Sequence, residues 1–464
     1  MAISPRLITA LGWCWASVGA CAPPFALAAA ASGEADIARG FAVTAAIGLF
    51  LGGLALAAAH GAQRPAGTAT SLRLLLYGWA TTPLLAAPPL AAAAGAAGPG
   101  IFEAYSAMTT TGASVIDPDQ APISIVYWRS LLQWLGGLAS VMLAVTIFAS
   151  LDARGPGLQR STLLTVEGDD LFTNFGRAFR RMGALYAALT AAGALLLLVF
   201  GARASDALPL AMSAIATGGM APQSGPLASW LPPGAIMVVA LLCGLGAWNM
   251  ALQFEFATRR RFVRAPGDLR LMLILSGACA LGAAATVGPA HIPAAALDAW
   301  FAVTTAGYET AAGAPVPVVV LVVLALIGGS AVSTAGGLKA PRVLLLLRRA
   351  REELALLSHP SAAVQTRFAG RSVGEEALLS VAVYALAYPL ALGFGGVAIG
   401  LAGAEFGQAW ALAGAALANA GPVAGADYAA LPEPVLYALI PAMIAGRLEV
   451  VVLVSAIFVI LSRD

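Results

Sequence analysis

Residues 102–116 read FEAYSAMTTTGASVI. About ten residues of helix-like pattern run into three threonines and a glycine. A bilayer crossing needs about 20 apolar residues, so this run is too short to cross. Its surroundings are membrane-like all the same. The chain has 464 residues, 60% of them hydrophobic and 10% charged, where soluble proteins carry about 25% charged residues. The composition implies a polytopic membrane protein that interrupts itself here with hydroxyls and a glycine.

Apolar runs of membrane length fall at 7–31, 40–60, 72–95, 124–151, 178–201, 233–256, 269–291, 315–346, 377–402 and 434–461. The first begins like a signal peptide, with Arg6 ahead of an apolar stretch. At about 25 residues it is long enough to span, and we read it as a retained helix. Four shorter apolar pieces lie at 101–111, 205–217, 296–306 and 405–419.

Arginine placement predicts the orientation. Arg154, Arg160, Arg177, Arg180 and Arg181 fill one loop. Arg259, Arg260, Arg261, Arg264 and Arg270 fill a second, and Arg342, Arg348, Arg349, Arg351, Arg367 and Arg371 a third. The positive-inside rule puts these loops, and with them both termini, in the cytoplasm. The alternate loops hold Glu34, Asp36, Glu103, Asp117, Asp119, Asp206, Asp298, Glu309, Glu405, Asp427 and Glu433. All four short pieces then lie on the outer, acidic side, where negative charge concentrates cations.

Each short piece ends in a similar cluster. The clusters are Thr110-Thr111-Gly112, Ala216-Thr217-Gly218, Thr305-Ala306-Gly307 and Asn419-Ala420-Gly421. Each follows a full span and precedes another, so one unit recurs four times. Taken singly, such a cluster reads as a kink or a tight turn. Four on one side read as re-entrant half-helices, because irregular backbone at membrane depth must be surrounded by protein or line a water-filled cavity. The glycines let successive carbonyls turn toward one axis. A ring of carbonyl dipoles can replace the water around a cation, and the helix C-termini favour a cation there as well. Asp206 and Asp298 are expected to cap the starts of their half-helices. The expected fold is all-α, with four span–pore-helix–span repeats in pseudo-fourfold arrangement around one pore. The units are 66–155, 156–264, 265–352 and 353–464, with a helix pair at 1–65.

GGSAVSTAGGLK, 328–339, interrupts the eighth span. Gly328, Gly329, Gly336 and Gly337 each weaken a helix by about 1 kcal/mol relative to alanine. Ser330, Ser333 and Thr334 can satisfy backbone groups freed by unwinding, and Lys339 closes the segment. A close helix crossing would explain small residues four apart, but not so many glycines and hydroxyls together. Arg447 lies inside the last span, where charge costs roughly 2.5–3.5 kcal/mol or more. Glu449 is too close in sequence to share its helix face, so Arg447 is expected to turn toward the pore.

At these residues the chain resembles the Trk/Ktr/HKT superfamily of potassium transporters, most closely the bacterial TrkH type. FEAYSAMTTTGAS with WRSLLQWLGG (128–137) resembles a first pore loop and inner helix. AMSAIATGG (211–219), GGSAVSTAGGLK and AGRLE (445–449) resemble the second loop and the third and fourth inner helices. The resemblance implies K⁺ uptake across the bacterial inner membrane and binding of K⁺ at the twelve cluster residues. It makes 328–339 an intramembrane gate, with Arg447 near it, below the filter. It further implies a homodimer and a cytosolic TrkA-like nucleotide-binding subunit that senses ATP/ADP or NAD(H). A Na⁺-permeable or K⁺/Na⁺-coupled relative is the alternative, and Gly112 argues against it, since a serine there favours Na⁺ in some plant members. A carrier with inverted repeats is disfavoured because the units share one orientation.

Other classes find little support. The cysteines Cys14, Cys21, Cys243 and Cys279 form no CxxC pair, and His60, His291 and His359 stand far apart. Neither a disulfide framework nor a zinc site is indicated. An intramembrane enzyme needs a nucleophile with a base, paired acids or metal ligands, and no such constellation occurs. There is no nucleotide-binding fingerprint and no sign of a nucleic-acid partner.

Overall fold

The computed structural model describes residues 4–60, 68–151, 171–259, 267–313, 316–359, 366–368 and 371–461. Arg154, Arg160, Arg260, Arg261 and Arg264 lie outside them, as do the expected boundaries at 65, 155 and 264.

The chain is helical almost throughout. A leading pair, α1 (Pro5–Ala31) and α2 (Ala35–Ala58), precedes α3 (Thr68–Ala86) and α4 (Pro88–Ala94). Then come α5 (Ala97–Met108), α6 (Ile123–Leu151), α7 (Leu171–Val199), α8 (Ala204–Ile215), α9 (Pro233–Ala247) and α10 (Met250–Arg259). The third unit holds α11 (Asp268–Thr286), α12 (Ile292–Val303), α13 (Val318–Ile327) and α14 (Ala340–Ser358). The fourth holds α15 (Glu375–Leu401), α16 (Phe406–Ala418), α17 (Glu433–Leu448) and α18 (Val450–Leu461). Among the described residues the strands are one antiparallel pair, β1 (Arg367–Phe368) and β2 (Arg371–Ser372).

The repeated order is long helix, short helix, turn, helix, and in the third unit the closing helix α13 is cut short at Ile327. The short helices α5, α8, α12 and α16 fall on the four short apolar pieces. Each following helix starts directly after a proline: Pro122, Pro232, Pro317 and Pro432. Proline suits a helix start, where its missing N–H would be unpaired anyway. The leading pair packs closely through Gly19 and Gly48, where an added Cβ would meet backbone at 2.7–2.8 Å. Phe25 and Phe41 then meet Trp128 edge-on, at 5.4 and 5.3 Å between ring centroids, and dock the pair on α6.

The spans depart from continuous helices in several places. Among the described residues, five helices are long and apolar enough to cross a membrane, or up to seven if each bent pair is one span. The break at 328–339 lies where the glycines predict it. Two more were not anticipated: α9 meets α10 at 100° across Trp248-Asn249, and α17 meets α18 at 101° across Glu449. The third span is interrupted at Ala87, before Pro88. The expected boundary at 352 falls within α14, which runs on to Ser358.

Neither expected aspartate cap forms. Arg203 occupies the N-cap position of α8 without a side-chain bond, and Asp206 lies inside the first turn. Asp298 lies in the middle of α12.

Candidate functional site

The four short helices end in the same way. In three, the N–H of the second residue past the cap bonds back across six residues: Thr111 to Ser106 O, Gly218 to Ser213 O and Ala420 to Ala415 O, each at 2.8 Å. The residue before it bonds to Ala107, Ala214 and Ala416 in turn, at 3.0–3.1 Å. This is the Schellman closure, which turns one residue left-handed. The left-handed residues are Thr110 (φ 54°), Thr217 (φ 51°) and Asn419 (φ 52°). The third helix keeps the inner bond, Thr305 N to Ala302 O, with Thr305 at φ 61°.

This geometry corrects the second cluster by one residue. Thr217, not Ala216, matches Thr110, and Gly219 (φ 80°) matches Gly112 (φ 79°) and Gly307 (φ 71°). The shared pattern is Thr-Thr-Gly, Thr-Gly-Gly, Thr-Ala-Gly and Asn-Ala-Gly. Gly219, left out of the cluster read from the sequence, takes the position of the left-handed glycine in this turn. Ala216 is only the helix cap.

The turns meet in a closed ring. A Cβ on Gly112 would strike the Gly218 carbonyl of the second turn, and one on Gly219 the Ala306 carbonyl of the third. One on Gly307 would lie 3.2 Å from Pro422 of the fourth turn, and one on Gly421 2.7 Å from the Ala113 side chain of the first. Gly421 N–H also donates to Thr111 O, which joins the fourth turn to the first. Gly136, Gly246 and Gly446 of the long helices let Met108 O, Ile215 O and Leu417 O approach where a side chain would collide.

Hydrogen bonding sorts the turn carbonyls. Those of Thr111, Gly218 and Ala420 accept from Gly421 N, Gln133 Nε2 and Val423 N. Gly421 O accepts from Tyr428 at 2.7 Å. The carbonyls of Thr110, Thr217, Thr305 and Asn419 accept no bond from any described residue. Buried backbone oxygens are rarely left unpaired. Here the oxygen at this position is left unpaired in all four turns, and those of Gly112, Gly219, Ala306 and Gly307 also accept no bond from any described residue.

A threonine held left-handed is unusual, because its branched Cβ crowds the backbone. Such a residue costs roughly 1–3 kcal/mol and persists only where its surroundings hold it. All three threonines are held by their hydroxyls. Thr110 Oγ1 accepts from Arg447. Thr217 Oγ1 bonds Thr334 Oγ1 at 3.2 Å, and Thr305 Oγ1 accepts from Gly336 N at 2.9 Å. Asn419 Nδ2 donates to Thr111 Oγ1 at 3.1 Å and Met443 O at 2.9 Å.

Thr334 and Gly336 belong to the segment 328–339, which is non-helical and buried against the turns. It begins at Gly328 (φ 74°), and Gly329 packs on Ala247. Ser330 donates to Asp268, and Ser333 to Ser330 O at 2.6 Å. Gly337 (φ 77°) leads to Lys339, whose ammonium donates to Ala335 O.

Arg447 is buried and joins this segment to the first turn. It donates to Thr334 O at 2.7 Å and Thr109 O at 2.9 Å. No carboxylate pairs with it among the described residues. Glu449 turns instead to Arg342, at 2.7 Å, and Arg342 also lies over the Tyr384 ring. Arg342 is therefore not a free surface charge. A cavity of about 30 Å³ lies beside Ser333, Lys339 and Arg447.

Two of the acids expected at the outer mouth are structural. Glu103 is fully buried and pairs with Arg129 at 3.1 Å. It accepts from Ser114 Oγ at 2.7 Å and Val115 N at 2.8 Å, and so braces the chain beyond the first turn. Asp298 sits at the matching place in the third unit and accepts from Thr310 N at 2.8 Å. The helix facing it, VVVLVVLALI, offers no arginine.

Removing one member of a buried ion pair leaves the other charge unmet, which costs about 3–5 kcal/mol. Arg129→Met should therefore lower the thermal midpoint of the purified protein sharply. Arg129→Met with Glu103→Gln should recover part of that loss. A double variant no more stable than Arg129→Met, measured by thermal unfolding in detergent, would refute the brace.

Comparison with known proteins agrees with this architecture. The family model described as TrkH, cation transport protein, matches residues 40–260 and 274–464. The Trk system potassium uptake protein TrkH of Salmonella typhimurium is 32% identical over 75% of this chain and 76% of its own. The TrkH protein of Halomonas elongata is 29% identical over similar shares. The crystal structure of the potassium transporter TrkH from Vibrio parahaemolyticus superposes with a TM-score of 0.86, covering 100% of this chain and 99% of that one at 22% identity. With nearly its whole length matched by that model, the chain belongs to the TrkH family of cation transport proteins.

Proposed function

We propose that this chain takes up K⁺ across the bacterial cytoplasmic membrane through a pore on the axis of the four turns. The observation that carries the reading is the set of carbonyls left unbonded at Thr110, Thr217, Thr305 and Asn419. Such dipoles can take the place of an ion's water shell. Gly112, Gly219 and Gly307 add a second, less uniform level, since Gly421 O is engaged by Tyr428. The names of the relatives support K⁺ as the ion. The units run from 66, 156, 265 and 359, with both termini cytoplasmic. A homodimer with a cytosolic TrkA-like subunit, sensing ATP/ADP or NAD(H), fits relatives named as parts of a Trk system.

The segment 328–339 serves as the gate, and its bonds suggest how it moves. In a straight helix Met250 N–H would donate to Gly246 O. Instead Met250 N donates to Val332 O at 2.8 Å, and Gly246 O accepts from Thr334 N at 3.0 Å. Ala247 O likewise accepts from Ser330 N at 2.8 Å. The segment thus stands in for the helix's own bonds across the α9–α10 break. When it leaves, Gly246 and Met250 can pair with each other and the bend can straighten. Opening then exchanges hydrogen bonds rather than only breaking them. Arg447 holds the closed segment at Thr334 and places a fixed positive charge against the passage of cations.

Two experiments test these readings. Expression should restore growth of a K⁺-uptake-deficient bacterium at low K⁺, and Gly112→Ala should abolish the rescue. No rescue, with Na⁺ currents from the purified protein, would overturn the assignment. For the gate, proline at position 250 costs about 3 kcal/mol inside a continuous helix, whereas in the closed state it removes only the Met250 N–H bond to Val332 O, about 1 kcal/mol. Met250→Pro should therefore hold the gate closed and lower Rb⁺ uptake. Raised uptake would show that the bend persists in the open state.

A further inference from the structure

We propose that Gln133 sets the ion discrimination of the second turn by pinning one peptide group; the proposal rests on the pore reading above. Gln133 lies on α6 of the first unit and is fully buried. Its Nε2 donates to Gly218 O at 2.6 Å, which is its one hydrogen bond among the described residues. Its Oε1 has no partner. A buried amide left half satisfied is unfavourable, so this side chain is kept for its contact with the turn.

The position it holds is the least constrained of the four. The residue after the left-handed one is Thr111, Ala306 or Ala420 in the other turns. Each has a Cβ that restricts rotation of its peptide. In the second turn it is Gly218, followed by Gly219, and two successive glycines leave the peptide between them free to rotate. The other turns do not use a side chain here. Thr111 O and Ala420 O are held by backbone N–H groups, and Ala306 O packs against Gly219. Glycine is also what Gln133 requires, because a Cβ at 218 would collide with its amide. The Gln133–Gly218 pair is therefore reciprocal: the amide fits only over a glycine, and the glycine holds its geometry only under the amide.

Gly218 O lies between the free carbonyls of Thr217 and Gly219 along the chain. Held by Gln133, it stays out of the set that faces the ion. Released, the 218–219 peptide can turn and present its oxygen beside the others. Selectivity depends on the number and field strength of the coordinating dipoles, so an added, mobile oxygen lowers discrimination before it lowers conduction.

The test uses the full chain in liposomes, with Rb⁺ influx read against Na⁺ influx per inserted protein. Gln133→Met keeps the length of the side chain without its donor, and Gln133→Leu removes the polar end altogether. In both, Na⁺ entry relative to Rb⁺ should rise about fivefold, the scale of one lost hydrogen bond, while Rb⁺ influx is largely kept. An unchanged ratio, or Rb⁺ and Na⁺ fluxes falling together, overturns the proposal. Aggregation of both variants would assign Gln133 a structural role and overturn it as well. A wild-type protein that carries no Rb⁺ overturns the pore reading and this inference with it. A variant that discriminates as well as an active wild type overturns the inference alone.

Discussion

The structure depends on one backbone constraint, the left-handed residue that closes each short helix. Thr110, Thr217, Thr305 and Asn419 all have φ between 51° and 61°. That turn ends the helix midway through the membrane-spanning unit and directs the next three residues across the face of the neighbouring turn. The close approach there explains the glycines, since a Cβ at Gly112 or Gly219 would collide with the next turn's carbonyl. It also explains the threonines. Glycine would suit the left-handed position better, but it has no hydroxyl. The hydroxyls of Thr110, Thr217 and Thr305 are the points to which Arg447, Thr334 and Gly336 attach. The ring and the segment beneath it are therefore one bonded assembly.

Buried charge is used in two ways. Glu103 and Arg129 neutralise each other and brace the first turn. Arg447 meets no carboxylate among the described residues, and its charge is met by carbonyls and a hydroxyl. A guanidinium can make several directed bonds and cannot lose its charge. This suits a group that holds two segments together, as the proposed gate requires.

Much of this was legible in the sequence. The four polar clusters, the alternation of long and short apolar runs and the glycines at 328–339 each carry a physical reason to leave a regular helix. What was missed has equally physical causes. In ATGGM two adjacent glycines leave the register open by one residue, and only the bond pattern past Ile215 decides for Gly219. The bend at Trp248-Asn249 has no proline. It exists because residues from 330 to 334 supply its missing partners from about 80 residues away in sequence. Asp298 resembles a cap at the head of a short helix, but its partner, Thr310, lies beyond the turn. Gln133 has no local signal at all, because its role is defined by a glycine in another unit.

The central claim is that the unbonded carbonyls of Thr110, Thr217, Thr305 and Asn419 receive the ion. Anomalous diffraction from crystals grown in Rb⁺ or Tl⁺ tests it most directly. The account predicts a peak on the ring axis in contact with those four oxygens. A ring without a peak, or one whose ion touches the carbonyls of Thr111, Gly218, Ala306 and Ala420 instead, would contradict it.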